Sequence, residues 1–362
     1  MKLFKSISCL CLVVGLLVFM TGCPSTTDKA PESNGKIVGV GAMNYACFDT
    51  VSNVFNYHYE NQIDEKFEDR ANGVFDILYE YHQLFDIYNE YSGINNLKTV
   101  NLNAGGEPVK VDAKLIEFLL YTKELYTITG GEMNVMMGSV LKLWHDCRTE
   151  ALDSKNPNPA KIPTGEELAE ANKHTSISLL EIDVENSTVR ISDPKASIDV
   201  GAIGKGYATE KAAKYLEDDG ATSYVLNIGG NIRIVGNKPN GAGWKTGVTD
   251  PHNKDGYASY INIANISCVT SGDYERYYYA DGVKYHHIID KDTLMPSDYF
   301  SSVTILTSDS GLADALSTAL FSMSYEDGLK VLEKIDARVD VLWIAKDGTQ
   351  YKTEGYKDYL AQ

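Results

Sequence analysis

The sequence predicts an α+β protein in which a mixed, largely antiparallel sheet packs against several helices. Three observations carry that expectation. Apolar residues recur at helical spacing in separate segments, as Phe67, Val74, Leu78, Tyr81 and Phe85 do within 64–85. Between 223 and 304, short strand-like runs follow one another across antiparallel-looking turns. Helices and strands come in runs, without the strict alternation of a wound parallel sheet.

The elements follow in order. Lys2 and Lys5 precede an apolar run, residues 7–20, which is too short for a comfortable permanent span and reads as a secretory leader. Thr21-Gly22-Cys23 then resembles the lipobox of bacterial lipoproteins, with Met20 at its apolar first position. This gives a signal peptide over 1–22, a Pro/Ser-rich tether over 23–37 carrying a lipidated Cys23, and a single folded unit over 38–362. The expected location is the outer face of the bacterial cytoplasmic membrane, either periplasm or cell surface.

Within the folded unit, 40–55 reads as strand-rich with a hairpin after it, and 64–85 as a helix. A second helix spans 112–129 with Asp112 as its cap. The chain turns at Gly130-Gly131 and enters a third helix. Pro157, Pro159 and Pro163 mark an exposed loop, and 165–173 a short helix. Strands are expected near 188–192 and 196–200, then a helix over 205–217 ending near Gly220. Helices at 311–323 and 325–334 close the pattern.

Composition removes several function classes. The chain carries 50 acidic against 33 basic residues, a net charge of −17, which argues against a nucleic-acid partner. An anionic ligand would need a local cation or a metal. Beyond the leader and Cys23 the cysteines are Cys47, Cys147 and Cys268, widely spaced and odd in number, so buried free thiols are expected.

The chemistry-bearing stretches are short. "DVGAIGKG", 199–206, puts Gly201, Gly204, Lys205 and Gly206 at a strand-to-helix turn, with G-x-x-G-K-G spacing that is not a P-loop. It suits a diphosphate at a helix start, and equally a tight turn with a solvated lysine. Gly229-Gly230 suggests a bulge or a close backbone approach, and Thr270-Ser271-Gly272 a small-residue turn. His286 and His287 are neighbours in a strand-like run, so they face opposite ways, with Asp290 near enough to raise the basicity of His287. Asp314 and Thr318, at i and i+4 on one helical face, are hard oxygen donors suited to Mg²⁺, or a cap and a core threonine.

Taken together and in this order, these stretches resemble the FAD:protein FMN transferases of the ApbE family. The likeness covers about 38–345 and includes "FDIYNEYSGINNLKTVN" (85–101), "TGGEMNVMMGSVLKLWHD" (129–146), "LNIGGNIRIVG", "TSGDYERYY", "YHHIID" and "ADALSTALF". The resemblance implies an ApbE-like fold related to the tunnelling fold, in one catalytic unit. It implies FAD as substrate, Mg²⁺ as cofactor, and transfer of FMN to a Thr hydroxyl of a flavoprotein with release of AMP. Acceptors are then expected in membrane redox complexes or extracellular electron transfer. Asp314, Thr318 and the Ala202 carbonyl would hold the metal. Asp199 and Lys205 would belong to the cofactor site, Met43 and Tyr88 would line FAD, and Met133, Asn134 and Ile289 would lie along the nucleotide. His287, of ordinary pKa near 6.5, would take the acceptor proton. A Mg²⁺-dependent FAD pyrophosphatase and a non-catalytic flavin-binding lipoprotein are the alternatives. The chain departs from the family pattern at Asn44-Tyr45, at Met133 to Met136, at Lys291 (usually Pro) and at Leu294 (usually Gly).

Overall fold

The chain enters an antiparallel pair at once. Strand β1 (Ile37–Asn44) sets Ile37 opposite Tyr59 of β2 (Ser52–Tyr59). The structure, a computed structural model, describes residues 35–153, 155, 156 and 159–361. The leader, Cys23 and the tether up to residue 34 lie outside the described residues. Among the described residues no helix is long and apolar enough to cross a membrane.

Helix α1 (Phe67–Phe85) buries the apolar stripe that its spacing predicted. Helix α2 (Leu97–Leu102) is too short to show a period; Asn96 and Thr99 start it with a reciprocal capping box. Strand β3 (Val109–Lys110) precedes α3 (Ala113–Ile128), where Asp112 caps as expected by accepting from the Lys114 N–H. Helix α4 (Gly138–Leu152) follows the glycine turn, and α5 (Gly165–Asn172) is capped by Thr164 and Glu167. Strands β4 (Leu180–Asp183) and β5 (Thr188–Ile191) join β3 in a small sheet.

The strand expected at 196–200 does not form. Ala196, Ile198 and Val200 alternate inward, but no strand lies beside them. Their backbone is held instead by the Asn101 side chain, which bonds Ile198 N–H and C=O, and by the Val135 carbonyl, which accepts from Asp199 N–H at 2.8 Å. Helix α6 (Gly204–Asp218) follows directly.

The strand-dense region supplies β6 (Tyr224–Ile228), β7 (Asn231–Val235), β8 (Trp244–Asp250), β9 (Asn253–Ile263), β10 (Ser267–Gly272), β11 (Tyr277–Ala280), β12 (Val283–His286) and β13 (Phe300–Thr307). Gly229-Gly230 is the two-residue turn between β6 and β7, at φ 57° and 92°, and not a bulge. Ser271 and its neighbours are strand, not turn. Helices α7 (Ser310–Ala319) and α8 (Tyr325–Leu332) precede β14 (Val339–Ala345), whose apolar run was not read as a strand, and β15 (Gln350–Lys352).

One eight-stranded sheet runs β1-β2-β6-β7-β10-β13-β14-β15, antiparallel at every pairing. Helices α1, α6 and α7 cover one face; the β8–β9 ribbon covers the other through Trp244, Val248, Ile261 and Ile263. Covered on both sides, β13 is buried at all eight positions instead of alternating. Cys47, Cys147 and Cys268 are free and buried, as expected.

The helix layer is fixed at one contact. A Cβ on Gly206 of α6 would lie 2.3 Å from the Ser310 carbonyl and 2.4 Å from the Asp314 Cβ of α7. Glu210, a turn further along α6, accepts from Ser310 N–H at 2.8 Å and from the buried Arg233 guanidinium of β7 at 3.0 Å. The glycine is therefore a packing requirement between helices, which explains why no hydroxyl residue stands there. Gly206→Ala should cost about 1–3 kcal/mol through overpacking, read as a lower urea midpoint at unchanged slope; a stability equal to the parent would contradict this contact.

Candidate active site

The same contact builds the first wall of the site. Gly206 N–H, one of the first-turn donors that a helix leaves without an intrahelical acceptor, donates to Asp314 Oδ2 at 2.8 Å. Asp314 is only 4% exposed, and its Oδ1 carries no hydrogen bond among the described residues. Lys205 Nζ stands 3.8 Å from the same carboxylate. One turn along α7, Thr318 lies 3.5 Å from the Ser271 hydroxyl of β10, which also meets Ser317 at 2.8 Å. Asp314 and Lys205 come together, with Thr318 one turn along the same helix from Asp314 as their i, i+4 spacing predicts. Asp314 and Thr318 supply a carboxylate and a hydroxyl, and Ala202 lies in the turn that leads into α6. Only one is an acidic side chain, consistent with the finding that no group of three His, Cys, Asp or Glu is arranged for a metal among the described residues.

The second wall joins the 129–138 turn to the 197–204 loop. Gly138 N–H donates to the Ser197 carbonyl at 3.2 Å, beside the Asp199–Val135 bond. Asp199 accepts from Gly201 N–H at 2.8 Å; burial holds its carboxyl above the usual range, against the opposing charges of His145 and Arg276. Met133 is 2% exposed and packs in the core, so only its backbone faces this segment. Asn134 bonds Met136 N–H and the Thr175 carbonyl at 2.9 Å each, so its side chain shapes the turn.

The third wall carries the two histidines. His286 is buried; Nε2 lies 2.9 Å from the Ser297 carbonyl and Nδ1 accepts from Ile288 N–H at 3.3 Å. It is a structural residue, and burial pushes its pKa down to about 4. Its removal would therefore loosen the loop. His287 lies one residue past β12, with Nδ1 buried and without a partner among the described residues. Burial, then the charges of Arg276, His286, Lys205 and Arg148, push its pKa down to about 3, far from the expected 6.5. Asp290 does not raise it: its Oδ1 accepts from Asp292 and Thr293 N–H and closes a turn. Ile289 bridges to Pro296 in that turn. Leu294, where the family has Gly, adopts φ 59° and packs its side chain with Trp144, whose indole donates to the Leu294 carbonyl at 2.9 Å.

At the rim, Asp86 accepts from Tyr88 and Asn89 N–H, a turn that leaves Tyr88 61% exposed. Its ring lies 5.5 Å from His145, a broad face for a planar ligand. Met43, at the end of β1, accepts from the Tyr45 hydroxyl at 2.7 Å. Sequence reasoning missed Arg148, Arg276 and Glu132. Arg276 lay inside a stretch already singled out, while Arg148 follows Trp144 by four residues; nothing local marks either. Glu132 joins Lys291 at 3.2 Å, so the departure at 291 is one half of an ion pair bridging the second and third walls.

Comparison with known proteins bears on this arrangement directly. Residues 50–343 match the sequence profile of the ApbE family.

The chain belongs to the ApbE family.

It is 30% identical over 282 residues to an FAD:protein FMN transferase of Vibrio cholerae, covering 76% of this chain and 81% of that one. Among solved ApbE structures, the protein of Thermotoga maritima superposes with a TM-score of 0.75 at 29% identity, covering 89% of this chain and 99% of that one. The flavin transferase ApbE of Vibrio cholerae gives 0.73 at 26% identity, over 90% and 99%. The α+β fold with its large antiparallel sheet is the fold of these ApbE structures.

Glu132 gives a pH-dependent expectation. Burial outweighs Lys291 and pushes its pKa from 4.5 up to about 7. A folded value above the unfolded one means stability is full below about pH 4.5 and is lost as pH rises through 7. Lys291 keeps a second partner in Asp292. Glu132→Gln should therefore raise the melting temperature over the parent at pH 8 and show little difference at pH 4.5. An advantage that does not grow with pH would contradict the assignment.

Proposed function

We propose that the protein transfers FMN from FAD to a Thr side chain of a target flavoprotein, with Mg²⁺ as cofactor and AMP as the second product. The chain is a flavinyltransferase of the ApbE family. The observation that carries the finer reading is the Asp314 carboxylate: buried, bonded at one oxygen to Gly206 N–H, free at the other, with Lys205 beside it and Thr318 a turn away. A hard-oxygen set of that kind fits Mg²⁺ whose remaining positions go to a diphosphate. The ion would supply charge neutralisation at the diphosphate and alignment of the leaving group.

The chain's own residues do the rest. Lys205 attracts the diphosphate, and Tyr88 offers a face to an aromatic ring of FAD. His287, neutral at physiological pH, accepts the proton of the acceptor hydroxyl as its oxygen bonds to the FMN phosphorus and the bond from that phosphorus to AMP breaks. The cationic surroundings that depress the basicity of His287 are offset when the anionic dinucleotide is present, so the base strengthens with substrate bound. A lipidated Cys23 would hold this chemistry on the outer membrane face, near acceptors in membrane redox complexes or extracellular electron transfer. The support for that is the leader and the Thr21-Gly22-Cys23 stretch.

Incubation with FAD, Mg²⁺ and a candidate acceptor tests the reaction. AMP with FMN covalently on the acceptor is expected; AMP with free FMN would mean hydrolysis, and no AMP a binding protein. His287→Ala should still bind FAD and lose roughly 10²–10⁴-fold in rate. In the parent, kcat/KM reports the free enzyme and should stay level below pH 6. The acidic limb of kcat should lie at higher pH than that of kcat/KM, because bound substrate raises the His287 pKa. Coincident limbs near 6.5 would contradict the depressed value, and a near-normal rate in His287→Ala would remove it as base.

A further inference from the structure

We propose that Arg148 and Arg276 form a two-guanidinium clamp for a phosphate group of the dinucleotide, with His145 and Tyr88 bracing Arg148. The proposal deepens the flavin-transfer reading and rests on it. Its starting point is a census of the arginines. The chain has six. Arg70 pairs with Asp64 and Asp219, Arg190 with Glu181, Arg233 with Glu210 and Glu217, and Arg338 with Asp340 and Asp358. Arg148 and Arg276 have no carboxylate within ion-pair distance among the described residues. In a protein with 50 acidic side chains, two arginines left unpaired on the same site are not an accident of composition.

Their placement points to an anion. Arg148, half-buried on α4, sets Nη2 3.2 Å from His145 Nδ1, and the Tyr88 hydroxyl lies 3.5 Å from the same nitrogen. With Nδ1 accepting, the His145 proton sits on Nε2, and four of the five guanidinium N–H groups remain free. Arg276 precedes β11, and its carbonyl accepts from His287 N–H at 3.0 Å, so its guanidinium starts beside the base. The Arg276 charge acts on Arg148 and on Asp199, and both arginines act on His287; burial first, then the Arg276 charge, pushes the Arg148 pKa down. Asp49 acts on Arg148, Asp146 and Asp199 on His145, and Asp199 and Asp86 on Tyr88, and none of them is within ion-pair distance of either arginine among the described residues.

A phosphate is the anion of choice for three reasons. Planar guanidinium forks match phosphate oxygens with two parallel N–H donors. Lys205 is partly engaged by Asp314, so by itself it leaves a diphosphate short of positive charge. And a phosphate held between the arginines lies next to His287, where the acceptor hydroxyl must meet phosphorus.

Titration of the parent, Arg148→Gln, Arg276→Gln and Arg148→Lys with FAD, ADP and riboflavin tests this, with melting temperature as the fold control. The clamp predicts that each Gln variant weakens FAD and ADP by about tenfold to a hundredfold, as loss of a charge-assisted contact does. Riboflavin, which has no phosphate, should be unaffected. The salt dependence of FAD binding should flatten, and Arg148→Lys should fall between. Equal losses for riboflavin and FAD would overturn it in favour of a shape effect. Unchanged FAD and ADP affinity with a raised KM for the acceptor would overturn it in favour of an acidic acceptor segment. A folded parent that binds ADP but neither binds FAD nor yields AMP would instead sink the flavin reading while leaving the clamp standing.

Discussion

The close approach of α6 to α7 at Gly206 is the constraint on which the site depends. Only a residue without a side chain lets the two helices meet there. That approach brings the Gly206 N–H onto Asp314 Oδ2 and leaves Oδ1 of a nearly buried carboxylate without a hydrogen bond among the described residues. Arg233 and Glu210 hold the arrangement from behind, since Glu210 meets both the guanidinium of β7 and the first N–H of α7. A packing rule between helices and the orientation of the Asp314 carboxylate are thus one feature.

Electrostatics complete the design. An acidic protein repels an anionic dinucleotide at long range, so attraction has to be local. Lys205, Arg148 and Arg276 all act on His287, whose pKa, like that of Arg148, is depressed first by burial and then by neighbouring cations. Burial and this field together keep His287 unprotonated. Asp199 moves the other way, because burial outweighs the cations near it. The histidine pair divides labour: His286 has both nitrogens bonded and fixes the loop, leaving Nδ1 of His287 open.

The sequence made the long helices legible because α1, α3 and α6 each bury a continuous stripe, and α3 carries a cap and α6 a glycine end. The Asp314/Thr318 pairing was legible for the same reason, being local to one helix. The stretch 196–200 misled because inward alternation also arises in a segment held by a side chain, here Asn101, with no neighbouring strand. Leaving α2 and β14 unread has other causes, a helix shorter than two periods and a doubly covered strand without alternation. Arg148 and Arg276 could not be read at all. Their meaning lies in what they lack, a carboxylate partner, and that is known only when the 127 residues of intervening chain, 149–275, have folded to bring α4 beside the β10–β11 loop.

The most direct test asks whether the Asp314 carboxylate holds a metal against the substrate diphosphate. Mn²⁺ can replace Mg²⁺, and its unpaired electrons broaden the ³¹P resonances of FAD when they are close. The account predicts strong broadening of both phosphorus signals in the parent with FAD and Mn²⁺, lost in Asp314→Ala under the same conditions with FAD still bound. Broadening that persists in Asp314→Ala, or none in the parent, would contradict it.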